Sequence, residues 1–309
     1  MEADKAHEMS GYQHYTYAQS LAEFGTPRLL PRSGGWMLQR PIDELPYSDA
    51  MGCYPLFACA DWSGIQADLD ELTDELVCIS LVADPFGGYR REDLQRWFKD
   101  KLLPFKEHFV ADLSRPPDEF VSKHHRYYSQ RALGAVDVER CNQPAQFLEE
   151  WLNLYAQITE RHRLKGIRAF SRRAFEMQLN VPGAFMLRAI HEGETVSAHL
   201  WYLQGGVAYS HLAASNPRGY ELMAPYALHW FALKTFAGKA GWINFGGGAG
   251  LNGQATDGLT LFKRGWSTET RTAYFCGRIF NQKRYAEALA KRRLAANDYF
   301  PAYRKGELI

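Results

Sequence analysis

Long apolar stretches are missing from this chain. Its hydrophobic runs all fall well short of the roughly 20 residues that a helix needs to cross a bilayer. Its first 20 residues are polar and acidic, and they lack the basic and apolar segments of a secretory signal peptide. We therefore expect no membrane span and a cytoplasmic location.

Cysteine is scarce, and its placement disfavours the common cysteine-based sites. The five cysteines are scattered and odd in number, and none forms a C-x-x-C pair. The ten histidines include no H-E-x-x-H motif. We expect neither disulfides nor a metal site. Cys78 and Cys276 lie in apolar runs, so we expect them to be buried thiols without a chemical role.

The motifs of three large enzyme classes are also missing. The chain has no G-x-S-x-G nucleophile elbow, no Walker loop and no G-x-G-x-x-G after a strand. The aromatic stretch HRYYSQR could stack on bases, but it lies in a helical pattern and indicates a packed amphipathic helix first. These observations disfavour a hydrolase, an NTPase and a Rossmann enzyme, and DNA is not an expected partner.

Charge is present in both signs but is unevenly distributed. The net charge is +1, yet residues 1–100 carry 8 positive and 17 negative side chains, whereas residues 101–309 carry 28 positive and 18 negative. A basic second half suits an anionic ligand such as a nucleotide, coenzyme A or tRNA. A solvated basic face is the alternative explanation.

Hydrophobic periodicity predicts a mixed α/β protein. Residues 146–163 form the clearest helix, because their apolar positions follow the i, i+3, i+4 spacing. Residues 185–214 predict three strands joined by tight turns. The first ~35 residues contain many helix and strand breakers and predict an irregular lead-in. The remaining predicted helices are 67–76, 91–105, 118–133, 224–238 and 282–297, and the remaining predicted strands are 77–86, 108–113, 136–140, 242–245, 260–266 and 271–280.

The connection from the third of these strands to the next helix is a candidate phosphate site. The chain leaves the strand at Ala214 and enters the helix near Ala224. The first turn of a helix presents unpaired N–H groups and a partial positive charge, which suit a phosphate. Arg218 would add charge there, and Gly219 would allow close approach. An ordinary strand-to-helix loop is the alternative.

A glycine-rich segment follows the predicted strand 242–245 and begins with Gly246 and Gly247. Glycines at the end of a strand let the backbone turn sharply or approach a ligand closely. The alternative is a flexible surface loop.

A meander, a helix and one further strand form the core order of the GNAT acyltransferase superfamily. Within that order, the motifs of residues 185–280 resemble the second domain of Fem-type proteins, the peptidoglycan aminoacyltransferases and their FemAB-like relatives. The motifs are Phe245-Gly246-Gly247, Asp257-Gly258-Leu259, Phe262-Lys263 and Gly265-Trp266.

This resemblance implies two GNAT-like domains, each with a mixed, mostly antiparallel sheet flanked by helices. We expect residues 1–140 on the acceptor side and residues 141–309 on the donor side, with a basic C-terminal helix. The implied activity is transfer of an acyl or aminoacyl group to an amine, without a tightly bound cofactor. The peptidoglycan branch implies aminoacyl-tRNA as donor and an anionic cell-wall precursor as acceptor. An acyl-CoA-dependent N-acyltransferase and a non-catalytic binding scaffold are the alternatives.

The resemblance also implies site residues. Lys263, with Phe262 beside it, matches the F-K pair, and we assign its ammonium the stabilisation of charge that develops during transfer. Gly246 and Gly247, which belong to the first of these motifs, are expected beside the donor. Arg218 and Gly219, at the candidate phosphate site, are expected beside the donor as well.

Two further residues are candidates on the third meander strand. Tyr209 and His211 alternate along that strand and therefore share a face. His211 is a candidate base, against the alternative of a structural histidine.

Acceptor contacts are expected by analogy at Tyr54 and at Arg126. Asp257 is a third candidate, and a turn residue in its Asp-Gly pair is the alternative.

Overall fold

The chain forms two compact units in the computed structural model, which describes residues 9–248, 257–292 and 298–307. Unit 1 comprises Met1–Gly11, Lys106–Leu164 and Ser171–Thr272, and unit 2 comprises Tyr12–Phe105, Lys165–Phe170 and Ala273–Ile309. The units do not follow the predicted division at residue 140, because the whole segment 106–164 lies in unit 1. Periodicity is a local signal and does not report where a chain passes from one unit to the other.

The elements have the following bounds. The strands are β1 Thr26–Leu30, β2 Gly35–Pro41, β3 Ser48–Gly52, β4 Leu76–Val82, β5 Lys101–Asp112, β6 Asp137–Cys141, β7 Ala184–His191, β8 Glu194–Gln204, β9 Val207–Ser215, β10 Trp242–Gly247 and β11 Glu269–Ile279. The α-helices are α1 Tyr15–Gln19, α2 Ile65–Glu71, α3 Arg91–Trp97, α4 Pro117–Phe120, α5 Lys123–Leu133, α6 Leu148–His162, α7 Arg172–Gln178, α8 Pro217–Glu221, α9 Ala224–Phe236, α10 Gly258–Arg264 and α11 Gln282–Arg292.

Unit 1 has a mixed sheet with the strand order β5-β10-β9-β8-β7-β6. The meander β7-β8-β9 is antiparallel, as predicted, and only β9 and β10 pair in parallel. Helix α9 packs on one face, where its Leu233 and Phe236 join Phe185, Trp201 and Phe245 in the core. Burying side chains of this size contributes roughly 1.5–3 kcal/mol each, so this cluster holds the sheet and α9 together.

Unit 2 contains the strands β1-β2-β3-β4-β11, which are adjacent in that order, and among them only β3 and β4 run parallel. Strand β4 is an almost continuous buried run, which the sequence predicts for a strand that is covered on both faces. Helices α2 and α3 pack on it through Leu69, Leu94 and Trp97. Both units therefore have the predicted fold class, a mixed and mostly antiparallel sheet flanked by helices.

The core of unit 2 also contains a charged cluster. The carboxylate of Asp49 is fully buried and accepts hydrogen bonds from Arg40 Nε at 3.2 Å, Arg304 Nε at 2.8 Å and the Tyr303 hydroxyl at 2.9 Å. Buried charges persist in proteins when they are paired and hydrogen-bonded in this way. The cluster ties the C-terminal segment to β2 and β3.

Two predicted helices differ from the helices that form: one ends early and one is interrupted. The predicted helix 91–105 stops at Trp97, and Lys101 already begins β5, because Pro104 cannot lie inside a helix. The predicted helix 118–133 breaks at Ser122, whose side chain caps α5 by accepting from the backbone of His125.

The prediction of an irregular first 35 residues is wrong. This segment contains α1 and β1, and β2 begins at its end. Pro27 lies in β1, which is the outermost strand of the unit 2 sheet, and an edge strand tolerates a residue without an N–H donor.

The predicted strand 260–266 is also wrong, because this segment forms helix α10. Asp257 caps the helix by accepting from the backbone N–H of Thr260 at 2.9 Å. Leu259, Phe262 and Trp266 are spaced by three and four residues, which fits a helix, whereas Leu259 and Leu261 alternate as in a strand.

Cys78 and Cys276 are buried free thiols, as predicted. Burial raises the pKa of both thiols, so neither forms the reactive thiolate at neutral pH.

Candidate functional site

Strands β9 and β10 separate part-way along their length in unit 1. They pair only over three positions, which end at Tyr209 and Asn244. Strand β9 continues to Ser215 and stays paired with β8, while β10 continues to Gly247 and stays paired with β5. Among the described residues, the edge of β9 beyond Tyr209 therefore has no partner strand on the β10 side. An edge of this kind can pair with an extended ligand.

Gly246 turns β10 away from β9. Its φ is +77°, a conformation that glycine adopts readily and other residues avoid. Its N–H donates to Asn244 Oδ1 at 2.8 Å and not to a neighbouring strand. The expectation that this glycine-rich segment lets the backbone turn sharply is confirmed at Gly246.

The Lys263 amino group lies at the end of β10. It is carried by the last turn of α10 and donates to the Gly247 carbonyl at 2.7 Å. Burial, together with the neighbouring charge of Lys106, lowers the pKa of Lys263 to about 7, and Asp257 opposes this shift. A protonated amine is expensive to bury, so this position holds a cation at a cost in stability.

Other polar side chains gather at the same strand end. Lys106 Nζ donates to the Gly248 carbonyl at 3.2 Å, and His108 Nδ1 lies 3.1 Å from Asn244 Oδ1. Sequence reasoning missed all three of these side chains. The available signal was weak: Asn244 is a polar residue inside the apolar strand WINF. Strand pairing, and not sequence proximity, brings these groups to Lys263.

Phe262, the residue before Lys263 in α10, packs into the core of unit 1. Its ring packs against Tyr226 at 4.9 Å and His229 at 4.8 Å on α9. Its backbone carbonyl accepts a hydrogen bond from His125 Nε2 at 2.9 Å. Phe262 therefore anchors α10 in the core, and its neighbour Lys263 points to the strand end.

Tyr209 and His211 lie on β9 and are both buried. The His211 ring lies 4.8 Å from that of Tyr202, and its Nε2 lies 3.2 Å from Gln178 Oε1. Burial lowers the pKa of His211 to about 3. This setting favours the structural alternative for His211 over a role as base, and Tyr209 marks the last paired position before the strands part.

The contacts of Gly219 at the predicted phosphate site differ from those expected. The Gly219 N–H is used by Asn216 Oδ1 at 2.7 Å, and Gly219 packs directly against the backbone carbonyl of Val196. Gly219 is therefore needed for packing inside unit 1. Arg218 is exposed and pairs with Glu221 at 3.0 Å. Its side chain remains accessible to an anion.

The three predicted acceptor residues are spread over the chain. Tyr54 belongs to unit 2, where it lines a cavity of about 140 Å³. Arg126 lies on α5 in unit 1, 3.7 Å from Asp118. Asp257 caps α10 through Thr260, so it supports the helix that carries Lys263.

The described part of the chain offers neither a cluster of metal ligands nor a membrane-spanning helix. Residues 9–248, 257–292 and 298–307 contain no group of three or more His, Cys, Asp or Glu side chains placed to hold a metal ion. In the same ranges, every helix is too short or too polar to cross a bilayer.

Comparisons with known proteins identify a matching domain family and chains of similar fold. Residues 121–250 match the acetyltransferase (GNAT) domain family. No curated protein matches the chain significantly. Among solved structures, FemX is similar with a TM-score of 0.69 at 16% identity, over 93% of this chain and 96% of that one.

Two further solved structures are similar in fold. The C-terminal domain of a putative lysylphosphatidylglycerol synthetase from Agrobacterium fabrum gives a TM-score of 0.61 at 12% identity, over 94% of this chain and 96% of that one. L-PGS from Bacillus licheniformis gives 0.52 at 14% identity, over 93% and 98%. Likeness at these identities is a likeness of fold. The predicted resemblance is confirmed at the level of fold: the chain is similar in fold to FemX, and its residues 121–250 match the acetyltransferase (GNAT) domain family.

Proposed function

We propose that this protein transfers an acyl or aminoacyl group to an amine, and that the Lys263 ammonium stabilises the oxyanion of the transition state. The observation that carries the proposal is the position of Lys263 Nζ, 2.7 Å from the Gly247 carbonyl where β10 turns away from β9. A cation fixed beside developing negative charge contributes several kcal/mol to a transition state. A binding scaffold would gain nothing from a buried amine whose pKa is lowered to about 7.

The first candidate donor is aminoacyl-tRNA, with an anionic cell-wall precursor as acceptor. The basic second half of the chain supports a polyanionic donor. The likeness to FemX supports the fold alone. The identities of the donor and the acceptor are part of the proposal. Because charged tRNA is found in the cytoplasm, the proposal requires that compartment.

The second candidate donor is an acyl-CoA. The separation of β9 from β10 beyond Tyr209 favours it, because an extended arm with amide groups could bind between the two strands. Ser210, Leu212 and Ala213 on this stretch are partly or fully exposed. Against this candidate, the Gly219 N–H is already occupied by Asn216 and cannot bind a pyrophosphate.

A donor panel tests the proposed function. Purified protein is mixed with acetyl-CoA, longer acyl-CoAs or aminoacyl-tRNA, and with UDP-linked muropeptide or simple amines as acceptors. Thiol release reports the first class of donor, and transfer of a radiolabelled amino acid reports the second. We expect turnover with one donor class, and turnover with neither would overturn the proposal.

Arg218 supplies a separate prediction for donor binding. Arg218→Ala is expected to weaken the affinity for a phosphate-bearing donor about two- to fivefold, since one exposed charge contributes on the order of 1 kcal/mol or less. Raising the salt concentration should weaken binding by the wild-type protein more than binding by the variant. Isothermal titration at two salt concentrations measures both effects.

Arg172→Ala is the matched control, because Arg172 is an exposed arginine of unit 1 in an ion pair with Glu149. Its affinity should equal that of the wild type. Equal affinity of Arg218→Ala and Arg172→Ala would remove Arg218 from the donor site.

A further inference from the structure

The hydrogen bonds around His108 determine which ring nitrogen carries the proton. The Gly246 N–H donates to Asn244 Oδ1 at 2.8 Å, and a backbone N–H can only donate. The side-chain atom at that position is therefore the amide oxygen. His108 Nδ1 lies 3.1 Å from the same oxygen, so Nδ1 must carry the hydrogen. His108 Nε2 is left with a lone pair.

The surroundings keep this imidazole neutral. Burial lowers the pKa of His108 to about 4; the charges of Lys263 and Lys106 add to the shift, and the hydrogen bond to Asn244 opposes it. These groups come from α10, β5 and β10, and Asp257 lies near enough to Lys263 to affect its charge. His108 Nε2 makes no hydrogen bond to any group among the described residues.

Asn244 supplies an independent sign of a ligand. The residue is only 2% exposed, and its Nδ2 has no hydrogen-bond partner in the described part of the chain. Leaving a buried amide donor unpaired costs about 1–3 kcal/mol, so such groups are rare without a functional reason. Asn244 is also the last residue of β10 that pairs with β9. Its unpaired donor lies at the point where the two strands part.

We propose that His108 is the general base of the acyl transfer and that Asn244 positions it while offering its Nδ2 hydrogen to the bound substrate. This inference rests on the proposed function. The amine nitrogen attacks the acyl carbon and forms the new C–N bond, and its proton passes to His108 Nε2. The oxyanion beside Lys263 then collapses and breaks the bond to the donor sulfur or oxygen, which takes the proton from His108. The products are an amide and a thiol or hydroxyl, and the imidazole is neutral again.

His108 becomes a stronger base as the reaction proceeds, because the repulsion from the nearby Lys263 charge decreases. The Lys263 charge repels a proton on His108 in the ground state. Negative charge that develops beside Lys263 offsets this repulsion, so proton transfer becomes easier as the oxyanion forms. A base whose basicity rises toward the transition state meets the requirement for differential stabilisation.

The first test replaces the base. His108→Ala and His108→Gln are expected to lower kcat/KM by about 10²–10³-fold with the donor that supports turnover, as general-base catalysis contributes on this order. Added imidazole should restore part of the activity of His108→Ala and none of that of His108→Gln. His162→Ala, which removes an exposed histidine of α6, should match the wild type.

The second test uses a readout that a purely structural histidine would not move. Asn244→Asp keeps an oxygen acceptor for His108 Nδ1 and adds a negative charge, which raises the pKa of the imidazole. The acidic limb of the kcat profile should therefore move upward by about one pH unit or more, with the melting temperature measured as a check on folding.

The outcomes separate the two proposals. Absence of turnover in the wild type would overturn the proposed function itself. Turnover in the wild type, with His108→Ala and His108→Gln both within threefold of it, would overturn only the role of His108. An unmoved acidic limb in a folded and active Asn244→Asp would do the same.

Discussion

Lys263→Met is expected to lower kcat by about 10²–10³-fold, the loss usual for one preorganised electrostatic donor. Donor affinity should change far less, because only stabilisation that is stronger in the transition state accelerates the chemical step. Single-turnover kinetics with saturating donor measures the first quantity, and titration calorimetry measures the second.

The same substitution should not destabilise the protein. The pKa of Lys263 falls from 10.5 to about 7 on folding, so between these values the folded state binds fewer protons than the unfolded chain. Stability therefore rises with pH across this window, and the charged amine destabilises the fold below it. At pH 6, the melting temperature of Lys263→Met should equal or exceed that of the wild type. A lower melting temperature together with a threefold or smaller loss of kcat would show that Lys263 is structural.

Asp49→Ala is expected to destabilise the protein by about 3–5 kcal/mol, the usual cost of removing one partner from a buried ion pair. The substitution leaves the buried guanidinium group of Arg40 without its carboxylate and leaves Arg304 paired with Glu307 alone. Urea denaturation that follows unit 2, for example through a fluorophore placed in it, measures this change.

An exposed ion pair provides the control for this prediction. Glu71 lies 3.3 Å from Arg32 at the surface, and Glu71→Ala should cost less than about 1 kcal/mol. If both variants lose the same small amount of stability, the buried cluster around Asp49 contributes no more than a surface pair.

The elements that sequence reasoning predicted correctly are those with a strong local pattern. In helix α6, the apolar residues recur at helical spacing. In the meander β7-β8-β9, three strands are separated by tight turns. Helix α10 was missed because its apolar residues fit two periods. The N-cap Asp257 is the signal that distinguishes them, but an Asp-Gly pair also fits a turn.

The candidate site was predictable only in part. Lys263 and Gly246 came from a motif, and they do lie together at the end of β10. His108 and Asn244 are 136 residues apart, and the pairing of β5 with β10 brings them into contact. No local pattern reports such a pairing. Arg218 and Gly219 were assigned to a donor site from the sequence, which did not reveal that they lie in helix α8 or that Gly219 packs against the Val196 carbonyl.

The pH dependence of kcat in the wild type and in Lys263→Arg tests the central claim most directly. If the ammonium is the active form, wild-type kcat should fall as pH rises through about 7, where Lys263 loses its proton. Lys263→Arg, which stays charged throughout, should keep measurable activity and lose this basic limb. A wild-type kcat that instead rises through pH 7 would mean that the neutral amine is the active form, and it would contradict the electrostatic role assigned to Lys263.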